Sequence, residues 1–462
     1  MKKAQLLIVF IFVTLSAKTQ DNQFSTETKF LTCSKIWHEV KVNFPYFDRF
    51  HESYWDSLYA STIPKIIVSK NDFEFFEILD DFVNSLYEAH TIITFNHDYY
   101  KYKDEKTSKP DVFVNWFYDG YYVVVVSDLL ESKIPLGSKI LSINNIDVEE
   151  YAKNEFSKTI HSKHKHVINH FSGWFLLSGK KGSKMKIKYK TLDNKILETE
   201  LIRERAEKRQ YKFLNRSSYL LELERESIVF KKDSNNICYL NLPGAISTST
   251  IDFFESKIDS IRSSNGLIID VRSSSGGSSY GDEIVKWISR KQEFQSFAAL
   301  FRVDNSYYKA LGGYTDTNII KIVGGIPRHF EFQNFYKNSA FDTLFFKKKR
   351  EKKFIDIPVV VLVNPSVCSA TETFLLSFKN ANAGIIIGQP TMGSCTQPMI
   401  VPIENVGFLK VATQKPIYPD GTFFNYIIPD IIINPTISGY IEGKDEIFEA
   451  GLEVLRKKIR KK

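Results

Sequence analysis

Apolar residues between positions 25 and 95 recur mostly at helical spacing. Phe76, Leu79, Val83 and Leu86 stand three or four residues apart in a run that begins at Phe73, and Asn71 precedes it as an N-cap. Phe30, Trp37, Val40, Val42 and Phe44 recur at mixed spacings before Pro45. Residues 21–105 therefore read as an N-terminal helical region. Between 106 and 204 the pattern turns to alternation. Tyr121-Tyr-Val-Val-Val-Val is β-rich, and Pro135-Leu-Gly-Ser is a turn feeding a strand. Two alternating runs from Met185 and Ile196 flank an Asp193-Asn194 turn, which predicts a hairpin. From 205 to 462 short apolar strands alternate with helices. Ile237, Gly266, Val359 and Gly384 open strands, and helices are expected over 249–263, 280–290 and from 369. Near-continuous apolar strands of this kind predict a parallel sheet covered on both faces, an α/β fold. Residues 302–357 interrupt it as an insertion. The run Lys347-Lys-Lys-Arg-Glu-Lys-Lys within it reads as a solvated surface.

Composition fits a globular chain of 462 residues, with 43% hydrophobic and 25% charged residues. The net charge of +8 is spread too thinly to indicate nucleic acid. Four cysteines exclude a disulfide scaffold. Residues 1–20 have a secretory leader's layout: Lys2 and Lys3, an apolar run from Leu6 to Leu15, then Ser16 and Ala17. That run is too short to span a bilayer stably, and no later run is long enough. The expectation is an exported protein, periplasmic or extracellular, with no membrane span after leader removal.

One segment could carry chemistry. The strand at Val359 ends at Asn364-Pro365, and a helix begins near Ser369. Unpaired amides at a helix start favour negative charge, such as a serine alkoxide or the oxyanion formed when it attacks a carbonyl. An ordinary serine N-cap is the other reading. A second segment is the turn after Asp270, where Gly276 and Gly277 follow a strand end. Ligands bind open parallel sheets at such ends, and glycines allow close approach of backbone amides. Alone it is also readable as a plain turn.

Several motifs together resemble the carboxyl-terminal processing peptidases, also called tail-specific proteases, and their tricorn-core relatives. They are Ile268-Ile-Asp-Val-Arg before the Gly-Gly turn, Ser369-Ala-Thr-Glu, Ile385-Ile-Ile-Gly-Gln-Pro-Thr-Met-Gly and Ile428-Pro-Asp-Ile-Ile-Ile. Leu86-Tyr-Glu-Ala-His-Thr resembles the family's N-terminal part, and Ile134-Pro-Leu-Gly-Ser-Lys-Ile-Leu-Ser-Ile-Asn its PDZ module. The resemblance implies a crotonase/ClpP-like αβ catalytic domain with a PDZ-like β-rich module, and serine peptidase chemistry without a cofactor or metal. Ser369 falls on the nucleophile. Ala370 and Gly276 or Gly277 fall on the oxyanion hole. The family's lysine base is absent, because Thr391-Met-Gly-Ser-Cys puts Ser394 in its place. The tricorn-type base is a histidine, and His90 sits on that motif. An imidazole suits this work, since it ordinarily titrates near pH 6.5. The tricorn-type serine ahead of the histidine is Ala89 here, and no glutamate stands in Thr422-Phe-Phe-Asn-Tyr-Ile-Ile-Pro-Asp. Glu88 is the nearest substitute to orient the base. The resemblance implies a peptide or protein substrate, held as an extended strand or by a free carboxyl end. A catalytically silent peptide-binding scaffold is the rival reading.

His161, His164, His166 and His170 cluster in sequence. The last two are one helical turn apart, as metal ligands can be, but Lys163 and Lys165 would repel a cation and no acid or cysteine joins them. A solvated helix is expected there. Cys368 and Cys395 lie on converging motifs, as a pair or as free thiols.

Overall fold

The computed structural model describes residues 24–51, 53–218, 227–302, 341–350, 352–418 and 420–460. The leader-like segment 1–20 and most of the 302–357 insertion lie outside the described residues.

Three helices open the described chain: Thr26–Asn43, Tyr54–Ile67 and Asp72–Asn84. The third starts where the sequence placed it, with the Asn71 side chain accepting from Glu74 N at 2.9 Å. Its Phe76, Leu79 and Val83 are buried in one aromatic-rich core with Cys33, Ile36 and Trp55. The 21–105 region is not wholly helical. Ile92–Phe95 is a strand, paired antiparallel with Gly407–Ala412 more than three hundred positions away. That pairing places Leu409 and Val411 in the same core as the N-terminal helices.

The β-rich region folds around one seven-stranded sheet that includes Val112–Phe117, Gly120–Ser127, Lys139–Ile143 and the hairpin Lys184–Lys190 with Ile196–Ile202. Asn194 takes φ +68 in the hairpin loop, a conformation that asparagine tolerates. Tyr211–Phe213 also pairs with Gly120–Ser127, so this sheet extends past the boundary read at 204.

Six strands form the central sheet, in the order Val229–Lys232, Ile237–Asn241, Gly266–Asp270, Val359–Val363, Ile385–Gly388, Ile431–Ile432. All neighbours are parallel except the first pair. Val359–Val363 and Gly266–Asp270 are buried at every position, because helices cover both faces. The Thr248–Ser256, Gly281–Ile288 and Ala370–Asn380 helices pack one face, and Glu446–Ile459 packs the other. The helix expected over 249–263 is broken at Lys257 into Thr248–Ser256 and Ile258–Arg262. The glycine turn is not a free loop: Ser274–Gly277 is a short strand paired parallel with Gly244–Ile246.

The lysine run is not uniformly solvated. Lys347 and Lys349 are exposed, but Lys348 Nζ lies 3.3 Å from the buried Asp282 carboxylate. Among the described residues no helix is long and apolar enough to cross a membrane.

Candidate active site

The Val359–Val363 strand delivers the chain to Ser369, and the Ala370–Asn380 helix begins directly after it. Ser369 adopts φ +56 and ψ −131, outside the regions that L-residues ordinarily occupy. Such strain persists only where its surroundings hold it, and it projects a side chain off a tight strand-to-helix turn. Here Ser369 N donates to Ser394 O at 2.6 Å, and Glu372 N donates to Ser369 O at 2.8 Å. The Ser369 side chain makes no capping hydrogen bond to the helix, so it is not an ordinary N-cap. Its Oγ instead lies 3.2 Å from His90 Nε2.

His90 reaches this point from the other end of the chain. After the Asp72–Asn84 helix, Tyr87 turns the backbone with φ +52, and Thr91 N closes a turn onto Glu88 O at 3.0 Å. Thr91 Oγ1 then accepts from Ala412 N at 3.0 Å, at the start of the strand pairing with Gly407–Ala412. The turn bearing His90 is thus anchored to the C-terminal half.

Behind the imidazole stand two further groups. His90 Nδ1 lies 2.7 Å from Ser394 Oγ and 3.6 Å from Glu88 Oε1. Ser394 Oγ is 3.4 Å from the same carboxylate oxygen. Glu88 is only 6% exposed, and its other oxygen accepts from His90 N at 3.0 Å and Thr91 Oγ1 at 2.8 Å. Burial opposes its charge, but the hydrogen bonds and the neighbouring imidazole outweigh burial and hold its pKa below the ordinary glutamate value. An ionised carboxylate only accepts. Ser394 Oγ–H therefore points to Glu88, His90 Nδ1–H points to Ser394, and Nε2 is left with its lone pair toward Ser369.

The loop carrying Ser394 is held by a buried acid. Glu372, 0% exposed, accepts from Thr391 Oγ1 at 2.5 Å, Gly393 N at 2.9 Å and Ser394 N at 2.9 Å. Burial pushes its pKa up to about 7, despite the hydrogen bonds that favour its charge.

Of the two glycines expected near the serine, Gly276 lies against it. A Cβ added there would sit 2.7 Å from Ser369 Cβ and 3.5 Å from Ala370 N. At Gly277 an added Cβ would instead meet Ile246 O at 2.4 Å. The Ala370 amide lies in the first turn of its helix, where amides have no intrahelical acceptor. Ser369, His90, Glu88, Ser394, Ala370 and Gly276 therefore converge.

Other expectations change. His166 and His170 are not on a solvated face. His166 Nε2 lies 2.8 Å from Thr391 O, and His170 Nε2 lies 2.8 Å from Ser366 Oγ. They dock the Lys165–Phe175 helix against the loops around Ser369. Nothing in their spacing signalled this, because the partners are some two hundred positions away. Cys368 and Cys395 are free thiols, and burial pushes Cys368 up to about 12. A structural role for Glu372 is what its place in the Ser-Ala-Thr-Glu motif suggests, but its partners in the 391–394 loop are not legible from spacing.

Comparison with known proteins adds a family likeness over part of the chain. Residues 236–433 match the model of peptidase family S41. No curated protein matches. Among solved structures, mature CPAF is similar at 15% identity and a TM-score of 0.68, over 93% of this chain and 96% of that one. Mature CPAF complexed with lactacystin is similar at 14% identity and a TM-score of 0.67, over 95% and 99%. At these identities the likeness speaks for the fold, which is the mixed helix-and-sheet architecture described above. Residues 236–433 are thus similar to peptidase family S41, in keeping with the resemblance to the carboxyl-terminal processing peptidases that the motifs carry.

Proposed function

We propose that the protein is an exported serine endopeptidase that cleaves peptide or protein substrates through an acyl-enzyme. Ser369 Oγ attacks the scissile carbonyl carbon as His90 Nε2 takes its proton. The carbonyl oxygen becomes an oxyanion, stabilised by the Ala370 amide and one from Gly276 or Gly277. His90 returns the proton to the departing amine, and the amide C–N bond breaks. Water then attacks the acyl-serine, with His90 again as base, and releases Ser369. Ser394 and Glu88 hold the imidazole in the tautomer that can accept. Glu88 also stabilises the imidazolium formed in each half.

The observation that carries this reading is the 3.2 Å approach of His90 Nε2 to Ser369 Oγ across 279 positions of sequence. It lies within the range in which a base can take the serine proton. The silent-scaffold reading drew on side chains absent from their usual places. Against it, Ser394 and Glu88 together occupy the Nδ1 side of His90.

The leader-like residues 1–20 support export. The β-rich sheet supports capture of an extended peptide by strand addition: its outermost strand Ile196–Ile202 exposes Ile196, Leu197 and Ile202. The test is turnover of an unstructured protein by wild type and by Ser369→Ala. Loss of roughly 10⁶-fold with an unchanged melting temperature supports the assignment. Undiminished cleavage by the variant contradicts it.

A further inference from the structure

The oxyanion hole draws its donors from two separate elements. Ala370 opens the Ala370–Asn380 helix, and the glycines lie on the Ser274–Gly277 strand. The hydrogen bonds inside either element do not fix the distance between them. Gly276 and Gly277 stand at φ +113 and +107, and without a Cβ the peptide they share can turn more freely than most. A planar peptide ties each N–H to the C=O of the same unit, so whatever grips the carbonyl also aims the amide.

Side chains flanking the Ser369-Ala370 pair supply that grip. Cys368 Sγ donates to Ser275 O at 3.2 Å, on the peptide that carries the Gly276 amide. On the other side, Thr371 Oγ1 lies 2.7 Å from Ser274 Oγ. Gly276 O, on the peptide that carries the Gly277 amide, is a second and longer acceptor for Thr371 at 3.5 Å. The order of donors follows from the last group in the chain. Ser274 Oγ is 2.9 Å from Gly244 O, and a carbonyl only accepts. Ser274 therefore donates to Gly244, and Thr371 donates to Ser274. Both side chains are 0% exposed. They lie 97 positions apart and take no part in the proton transfer between Ser369 and His90.

We infer that Thr371 and Ser274 are positioning residues of the oxyanion hole: their hydroxyl pair holds the glycine strand at a fixed spacing from the first turn of the Ala370–Asn380 helix. This rests on the peptidase reading and deepens it. A buried hydroxyl pair can also serve stability alone, so the test separates the two roles.

That test is steady-state hydrolysis of fluorescently labelled β-casein by full-length wild type and by Thr371→Val, Thr371→Ser and Ser274→Ala. Contacts to the oxyanion form in the transition state, so their loss appears in kcat. The expected result is a kcat lower by roughly tenfold to a hundredfold in Thr371→Val and in Ser274→Ala with KM unchanged, a smaller loss than removal of a donor itself. Thr371→Ser keeps the hydroxyl and is expected to restore kcat. Because the two hydroxyls act as one clamp, Thr371→Val/Ser274→Ala loses no more than the worse single variant. Ser377, on the same helix, is the control. Its buried hydroxyl donates to Asp282, and Ser377→Ala is expected to lower the melting temperature while kcat stays unchanged. Should Thr371→Val fail to fold, Ser274→Ala reads the clamp from the strand side. The inference is overturned by an unchanged kcat in the folded single variants, by a loss that Thr371→Ser does not reverse, by additive losses in the double variant, or by an equal loss in Ser377→Ala. Wild type without Ser369-dependent turnover would instead defeat the peptidase reading itself.

Discussion

His90 gains its direction from the atoms behind it. A lone imidazole has two tautomers, and only one presents an unprotonated Nε2 to Ser369. The acceptor-only Glu88 carboxylate at the end of the chain selects it, through Ser394 Oγ at 2.7 Å from Nδ1. Glu88→Gln replaces a pure acceptor by an amide that also donates. The Ser394 hydroxyl then loses its fixed direction, and the imidazolium loses its counter-charge. The expected effect is a fall in kcat of roughly 10²–10⁴ with little change in KM, read from steady-state kinetics. A variant with full kcat removes Glu88 from the account. Ser369 and His90 were legible from motifs. Ser394 was legible as the residue in the lysine's place, but its bond to His90 was not. Glu88 stands two residues from His90, yet its reach depends on the turn closed by Thr91.

At the scale of elements, the loop over residues 391–394 and the strand Ile92–Phe95 bring distant segments to one place. Glu372 clamps that loop, and its raised pKa ties stability to pH. Below about pH 4.5 the carboxyl is protonated in both folded and unfolded chains. Between 4.5 and about 7 the unfolded chain ionises while the folded one keeps its proton. Stability from this group therefore falls as pH rises through that window, by about 3 kcal/mol. Glu372→Gln lacks the effect. Urea unfolding at pH 5 and pH 7.5 should show wild type losing stability relative to the variant, whereas parallel profiles contradict the clamp's charge state. Gly276 tests the other wall of the site. It sits at φ +113, and a Cβ there would lie 2.7 Å from Ser369 Cβ. Gly276→Ala is expected to lower kcat by roughly 10² or more, as displacement of an oxyanion donor does, read against an unaltered far-ultraviolet spectrum. Four of the six strands of the central sheet were legible because their apolar runs are continuous, whereas the short edge strands Val229–Lys232 and Ile431–Ile432 were not. The Ile92–Phe95 strand was not, because its partner lies three hundred positions away and its four residues carry too little pattern.

Across the whole molecule, the N-terminal helices, the β-rich sheet and the central sheet meet around the Ser369 loops. The Lys165–Phe175 helix makes one seam, through His166 on Thr391 and His170 on Ser366. Burial holds both His164 and His170 down to about 4; the nearby His166 reinforces this for each, and Arg49 also acts on His164. Between pH 6.5 and 4 the unfolded imidazoles bind protons that the folded ones do not. Stability is therefore lost as pH falls through that window. Thermal melting should show a steeper acid decline for wild type than for His164→Gln/His170→Gln; equal slopes contradict the buried neutral seam. The lysines at 163 and 165 predicted a solvated helix here, since local composition carries no information about what a face meets.

The central claim is that His90 activates Ser369. Its most direct test is the rate at which a fluorophosphonate probe labels the protein, followed by mass spectrometry of the labelled peptide. Labelling confined to Ser369, falling at least about a hundredfold in His90→Ala, is the expected result. Equal labelling rates in wild type and His90→Ala, or labelling at another residue, would contradict it.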